Sequence, residues 1–352
     1  MTVQLPMLQV RGLKKYFPIT GGVFSQTIGH LKAVDGVDFD VYPGECLGLV
    51  GESGSGKTTI GRTILRAMAP TSGQVFFTVD GQTTDLTLAS AATLRDLRRH
   101  LQMVFQDPYA SLNPRMTVAD IIGEPLLIHG MRERRAREAR VRELLRQVGL
   151  PEHDLNRYPH AFSGGQRQRI GIARALALHP QFIVADEPVS ALDLSVQAQV
   201  LNLLQELQER LGLTYLFIAH DLSVVRHIAD RIAVLYMGKI VEIAPTQALF
   251  QTPRHPYTTA LLAAIPIPDP AVYHTRQLLI GEITDSSVSP AGCAFHPRCR
   301  FAVTECRCQT PELRVVDQSD HLVRCHRTEA IFCTAESAIS LNCVPRDYPA
   351  TA

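Results

Sequence analysis

The sequence predicts an α/β fold in which buried parallel strands alternate with helices, and three observations carry that prediction. Glu45–Val50 is a nearly continuous apolar run leading into glycine, the pattern of a strand buried on both faces. Phe182–Ala185 and Tyr215–Ala219 repeat the apolar run. Between these two, Ser195–Leu211 places Val196, Val200, Leu203, Leu204, Leu207 and Leu211 at helical spacing, so strand and helix alternate as in a layered core.

Ahead of that core, Leu8–Val10 and Ala33–Val41 read as short antiparallel strands separated by a glycine-containing loop. After Val50 the chain enters a glycine-rich loop and then a helix from about Lys57 to Met68, closed by Pro70. Between Leu86 and Leu155 the strand signal fades. Arg132–Val148 interleaves arginines with Glu133, Glu138 and Glu143 and keeps Leu144, Leu145 and Val148 apolar. A nucleic-acid helix would pair its basic residues with aromatics; interleaved acids suit a solvated helix laced with i,i+4 pairs. Residues 86–165 are therefore expected to form an inserted helical subdomain. Beyond Ile243, prolines from Pro245 to Pro290 break up regular structure. A boundary near 245 divides the chain into a core of 1–245, an extension of 246–330 and a tail of 331–352.

A length of 352 residues suggests two domains of roughly 150 each, and 45% apolar with 20% charged residues is a globular balance. The net charge of +1 gives no general attraction to nucleic acid or an anionic membrane. No apolar run approaches the ~18 residues of a membrane span, and no secretory signal opens the chain. A cytosolic protein that reaches any membrane through a partner is expected. Cysteine usage agrees with that compartment. Of eight cysteines, Cys293, Cys299, Cys306, Cys308, Cys325, Cys333 and Cys343 fall in the last 60 residues. In a reducing cytosol such a cluster points to a metal site rather than a disulfide frame. Cys46, inside an apolar strand, reads as a buried structural thiol.

Gly51-Glu52-Ser53-Gly54-Ser55-Gly56-Lys57-Thr58 matches the P-loop pattern in full and lies between a strand and a helix. Its glycines let successive N–H groups turn toward phosphates, and the helix N-terminus adds positive potential at the same place. Lys57 is expected on the β- and γ-phosphates, the Thr58 hydroxyl on Mg²⁺, and Thr59 in the adjoining first helical turn. Phe182–Ala185 ends in Asp186 and Glu187, so Asp186 is placed to hold Mg²⁺ and Glu187 to polarise the attacking water.

These elements, with four others in order, resemble the ATP-binding-cassette (ABC) ATPases over about residues 8–245. Gln106 in Val104-Phe105-Gln106-Asp107-Pro108 matches the Q-loop glutamine, which contacts Mg²⁺ and couples to the membrane partner. Ser163-Gly164-Gly165-Gln166 matches the signature, Ser190-Ala191-Leu192-Asp193 the D-loop, and His220 the switch histidine. Phe17, with Tyr16 as its rival, corresponds to the aromatic that stacks on adenine. The resemblance implies a RecA-like core with an antiparallel β subdomain and an inserted helical subdomain. It also implies that the signature helix caps the γ-phosphate of ATP bound to a second cassette. Intact Glu187 and His220 argue against an ATP-binding regulator without turnover. The single cassette, with no long coiled-coil insertion, argues against a soluble ABC ATPase of translation or DNA repair.

Pro253-Arg254-His255-Pro256-Tyr257-Thr258, Leu112-Asn113-Pro114 and Tyr158-Pro159-His160 narrow the resemblance to ATPase subunits of oligopeptide, dipeptide and nickel importers, most of all the F-type subunits of peptide permeases. That implies a homologous D-type ATPase, two transmembrane permease chains and an extracytoplasmic peptide-binding protein as partners, at the cytoplasmic face of the bacterial inner membrane. Nickel, glutathione and antimicrobial peptides remain alternative cargoes. The resemblance further implies a [4Fe–4S] cluster on Cys293, Cys299, Cys306 and Cys325. Cys308 is an alternative to Cys306, and zinc or free thiols are alternatives to the cluster.

Overall fold

The computed structural model describes residues 5–21, 26–265, 290–316 and 320–332. Cys333 and Cys343, and most of the tail, lie outside the described residues. At the N-terminus, β1 (Leu8–Gly21) and β2 (Gln26–Val41) pair antiparallel from Leu8↔Val41 out to Gly21↔Gln26, longer than the expected short strands. Their outer halves are only partly buried or exposed and show no regular alternation of apolar and polar residues, the pattern that marks a strand. Then come β3 (Cys46–Val50), α1 (Lys57–Ile64), β4 (Ser72–Val79) and β5 (Gln82–Asp85). Helix α1 stops short of Met68, with Arg66 in the left-handed region. β4 and β5 complete a four-stranded antiparallel sheet of order β2-β1-β4-β5.

The core continues through α2 (Ala91–Leu97), β6 (Leu101–Val104), α3 (Val118–Ile128), α4 (Arg134–Gln147), α5 (Gly164–Ala175), β7 (Phe182–Asp186), α6 (Leu194–Leu211), β8 (Thr214–Ala219), α7 (Leu222–Ile228), β9 (Arg231–Tyr236) and β10 (Lys239–Pro245). β6, β7, β8, β3 and β9 are neighbouring parallel strands. β3 shows why its sequence is apolar throughout. Cys46 and Val50 enter the core shared with the helices α3–α7, whereas Leu47 and Leu49 enter the core beneath α1 and the antiparallel sheet. β6 is a core strand inside the stretch expected to be helical, and at four residues it is too short to show a period.

Helix α4 carries its arginines on a solvated face. Arg134 pairs with Glu138, Arg140 with Glu143, and Arg142 and Arg146 with Glu152, while Val141, Leu144 and Leu145 are buried. In α6, Val200, Leu203, Leu204 and Leu207 are buried, but Leu211 in the last turn is exposed and Gly212 ends the helix in the left-handed region.

The C-terminal segment comprises α8 (Thr246–Gln251), α9 (Pro256–Ala263), α10 (Thr304–Cys308), β11 (Arg314–Val316), β12 (His321–Val323) and α11 (Thr328–Ile331). β12 pairs antiparallel with β10 (Ile243↔Leu322), so the main sheet has eight strands in the order β11-β12-β10-β9-β3-β8-β7-β6. Glu242 secures this junction. Its fully buried carboxylate accepts from the backbone N–H groups of Arg254 (2.6 Å) and His255 (3.0 Å) and from His321 Nε2 (2.7 Å). Glu242→Ala strands all of these donors and should cost about 3 kcal/mol or more. Circular dichroism in a urea series is expected to show a lower midpoint; an unchanged midpoint would mean that the anchor lies elsewhere.

Candidate nucleotide site

Gly56 adopts φ 106°, and a Cβ there would stand 2.0 Å from the Ala33 carbonyl oxygen. Only glycine fits, and it delivers Lys57 as the first residue of α1. Lys57 Nζ donates to the carbonyls of Gly51 (2.7 Å) and Glu52 (3.0 Å), so the ammonium is folded back into its own loop. Burial pushes its pKa down, against the pull of Glu187 and Asp186. Ser53 and Gly54 form the exposed crest of the loop, and Thr59 is partly buried in the first turn of α1.

Thr58 Oγ1 donates to Asp186 Oδ1 at 2.8 Å. Burial pushes the Asp186 carboxyl up, and the Thr58 hydroxyl opposes it. Asp186 Oδ2 and Ser55 Oγ are buried without hydrogen-bond partners. Native proteins rarely leave such atoms unpaired. A polyphosphate with its cation would satisfy both.

Glu187, one residue past β7, has φ 44°, a conformation that costs a non-glycine residue about 1–2 kcal/mol. Its backbone N–H donates to the Ile218 carbonyl at 2.9 Å. Its Oε2 meets Gln106 Nε2 at 3.0 Å and His220 Nδ1 at 3.1 Å. Side chains from beyond the ends of β6, β7 and β8 thus converge on one carboxylate oxygen.

Ser163 caps α5 through a capping box: its Oγ accepts from Gln166 N at 3.3 Å, and Gln166 Oε1 accepts from Ser163 N at 3.0 Å. A Cβ on Gly165 would meet Val196 Cγ1 at 2.3 Å, so the signature turn packs flush against α6. Gly164 faces Leu192 of the D-loop, and Ser190 Oγ donates to the Glu187 carbonyl at 3.1 Å. Asp193 heads α6 without a side-chain capping bond. Among the described residues, no hydrogen bond joins Ser163–Gln166 to the P-loop of the same chain.

Of the two candidate aromatics, Tyr16 donates its hydroxyl to Asp35, which also pairs with Lys239 at 2.7 Å. The Lys15 ammonium stands 5.0 Å from the Phe17 ring centre.

Cys293, Cys299, Cys306 and Cys325 line one pocket with Phe295 and Phe301, whereas Cys308 is exposed and does not line it. Burial pushes the Cys293 thiol up to about 12 and Cys299 to about 11, and raises Cys325; the neighbouring cysteines add to each shift. Thiolates here need a cation to bear the charge, a donor set suited to a metal group. Among the described residues, no group of three or more His, Cys, Asp or Glu side chains is placed to hold a metal ion. Cys46 is fully buried in β3, and burial raises its thiol well above the usual range.

Sequence reasoning missed the residues that reach the P-loop from the C-terminal segment. Glu52 N–H donates to Tyr257 Oη at 3.1 Å, and the Glu52 carboxylate takes both arms of the Arg298 guanidinium at 2.9 and 3.2 Å. Partners 205 and 246 residues apart leave no local signal.

Residues 34–190 match the ABC transporter family model, and 241–306 match the oligopeptide/dipeptide transporter C-terminal region. The oligopeptide transport ATP-binding protein AppF of Bacillus subtilis (strain 168) is 53% identical over 326 residues, covering 92% of this chain and 98% of the relative. The chain belongs to the ABC transporter ATP-binding family. Among solved structures, this ABC ATPase is similar to the cassette MJ0796 in a dimeric post-hydrolysis state bound to ADP and Pi. That match has a TM-score of 0.59 and 30% identity, and covers 68% of this chain and 99% of that one. It is also similar to cbiO1 from Clostridium perfringens, part of the transporter complex cbiONQ, with a TM-score of 0.58 and 26% identity over 70% of this chain and 90% of that one.

Because the Ala33 carbonyl cannot yield to a methyl group, Gly56→Ala should weaken binding of a fluorescent ATP analogue about tenfold or more. Equilibrium titration of the isolated chain checks this, and wild-type affinity would show that the loop tolerates a Cβ.

Proposed function

We propose that this ABC ATPase powers the import of dipeptides or oligopeptides by closing on ATP with a second, homologous ATPase subunit of the D type. The convergence of Gln106 and His220 on one oxygen of Glu187, beside a full P-loop, carries the catalytic part of the reading. The peptide cargo is supported by the matched C-terminal region and by the name of the 53%-identical relative.

In this mechanism the amides of Gly51–Thr59 receive the phosphates, and Lys57 exchanges the carbonyls of Gly51 and Glu52 for the β- and γ-oxygens. Thr58, Asp186 and Gln106 are the residues that would hold Mg²⁺, which when bound neutralises charge on the phosphates. Glu187 polarises the attacking water, and His220 orients the Glu187 carboxylate. Phe17 stacks on adenine. Ser163, Gly164, Gly165 and Gln166 serve the nucleotide of the sister subunit, and Asp193 works across the same interface.

No helix among the described residues is long and apolar enough to cross a membrane. Attachment to the cytoplasmic face of the bacterial inner membrane runs through two permease chains, with an extracytoplasmic binding protein delivering cargo. For the thiol pocket we favour a [4Fe–4S] cluster on Cys293, Cys299, Cys306 and Cys325. What supports this reading is that these four thiols line one pocket while Cys308 does not.

Tagged protein purified from membranes should bring down a second ATPase and two permeases, and the complex in liposomes should accumulate labelled di- or oligopeptides. Glu187→Gln should lower its ATP hydrolysis about a hundredfold or more while leaving ATP binding intact. Hydrolysis at the wild-type rate would remove Glu187 from the role of base. Protein purified anaerobically should contain iron and acid-labile sulfide, both lost in Cys325→Ser; an iron-free, zinc-loaded protein would overturn the cluster.

A further inference from the structure

Glu52, the second residue of the P-loop, is held at every polar group it has. Its N–H donates to Tyr257 Oη at 3.1 Å, at the head of α9. Its carbonyl accepts from Lys57 Nζ at 3.0 Å. Its carboxylate receives both arms of Arg298. The Arg298 side chain is only 7% exposed and lies 5.9 Å over the Tyr236 ring. A shielded, forked pair fixes geometry as an exposed ion pair does not.

An acid inside a phosphate-binding loop also poses an electrostatic problem. Left bare, the Glu52 carboxylate would repel the nucleotide that the loop is built to hold. Arg298 cancels that charge. It does so from the single turn His296–Arg298 lying between Cys293 and Cys299. His296 N donates to the Cys293 carbonyl and Cys299 N to the His296 carbonyl, at 3.0 and 3.2 Å. Phe295 anchors the turn against Tyr236 and Tyr257, with ring centres 5.2 and 5.5 Å apart. The turn that presents two thiols to the pocket therefore also aims Arg298 at the P-loop.

We propose that Arg298 is a positioning residue for ATP binding, neutralising Glu52 and setting the loop that carries Lys57, and that the metal-loaded thiol pocket holds it in place. The inference rests on the P-loop being the ATP site and, for the coupling, on the thiol pocket holding a metal group. Because such coupling is reciprocal, loss of the metal group should lower nucleotide affinity, and bound nucleotide should slow that loss.

The test titrates the full chain, anaerobically purified, with a fluorescent ATP analogue and Mg²⁺, while iron content and melting temperature are followed in parallel. Arg298→Ala should raise Kd about tenfold by leaving the partly buried Glu52 carboxylate unpaired beside the nucleotide. Glu52→Gln should change it less, and the double variant should resemble Glu52→Gln, because the repelling charge is gone. A merely structural arginine would give no such rescue. Chelating iron from the wild type should reproduce the loss, with little added effect in the double variant. Wild-type affinity in Arg298→Ala, or a double variant weaker than both singles, would overturn the positioning role. Unchanged affinity after iron removal would overturn the coupling. Failure of the wild type to bind the analogue would instead refute the ATP-site reading.

Discussion

The site depends on the register of the parallel sheet. Val50 lies opposite Ala219, Asp186 opposite Ile218, and Val104 opposite Ala185. Parallel strands so aligned release their next residues at the same sheet edge, the usual place for a ligand in an open α/β sheet. Gly51, His220, Glu187 and Gln106 all leave from that edge. The register is specified in turn by burial on both faces of β3, where a one-residue slip would exchange the two cores. Apolar packing thus fixes the relative positions of polar groups that come from four separate parts of the sequence.

What could be read from the sequence follows the same division. The apolar runs of β3, β7 and β8 and the period of α6 announce themselves because each is decided by its own residues. β6, β11 and β12 do not, since strands of three or four residues are held by neighbours rather than by a pattern. The outer β1–β2 ribbon is likewise a matter of pairing, not alternation. Within the site, the P-loop and the acids after β7 are local motifs. The meeting of Gln106 and His220 on one oxygen of Glu187 joins three separate strand ends and so leaves no local pattern. Arg298 lies between Cys293 and Cys299, yet nothing around it in the chain points to Glu52, because only tertiary folding makes them neighbours.

Two carboxylates join the C-terminal segment to the core, and they do different work. Glu242 is fully buried and accepts from backbone and imidazole donors, so it resembles a hydrogen-bonded rivet whose removal leaves unpaired polar groups. Glu52 is partly solvated and faces the nucleotide loop, so its pairing with Arg298 sets local charge as much as stability. His255 links the two regions. Burial lowers its pKa to about 3, keeping the ring neutral near pH 7, and its Nδ1 accepts the Tyr257 N–H at 3.1 Å. The proton therefore sits on Nε2. A neutral imidazole can cap α9 in this way and keep Tyr257 aimed at Glu52, whereas an imidazolium could not.

On the proposed reading, the unpaired groups at the P-loop and at the signature form two complementary halves. The P-loop side presents unsatisfied acceptors and a confined lysine: Asp186 Oδ2 and Ser55 Oγ lack partners, and Lys57 is held by carbonyls it can release. At the signature, the first amides of α5 have no intrahelical acceptor, a requirement of every helix N-terminus. The capping box occupies Ser163 and Gln166 with each other, and Val196 closes the space beside Gly165, so the chain itself offers those amides no anion. No hydrogen bond links the two halves within one chain among the described residues. A nucleotide on the P-loop of a second subunit would meet both needs at once. Such a contact lasts only while the γ-phosphate does, and hydrolysis at Glu187 then becomes the step that lets the subunits separate.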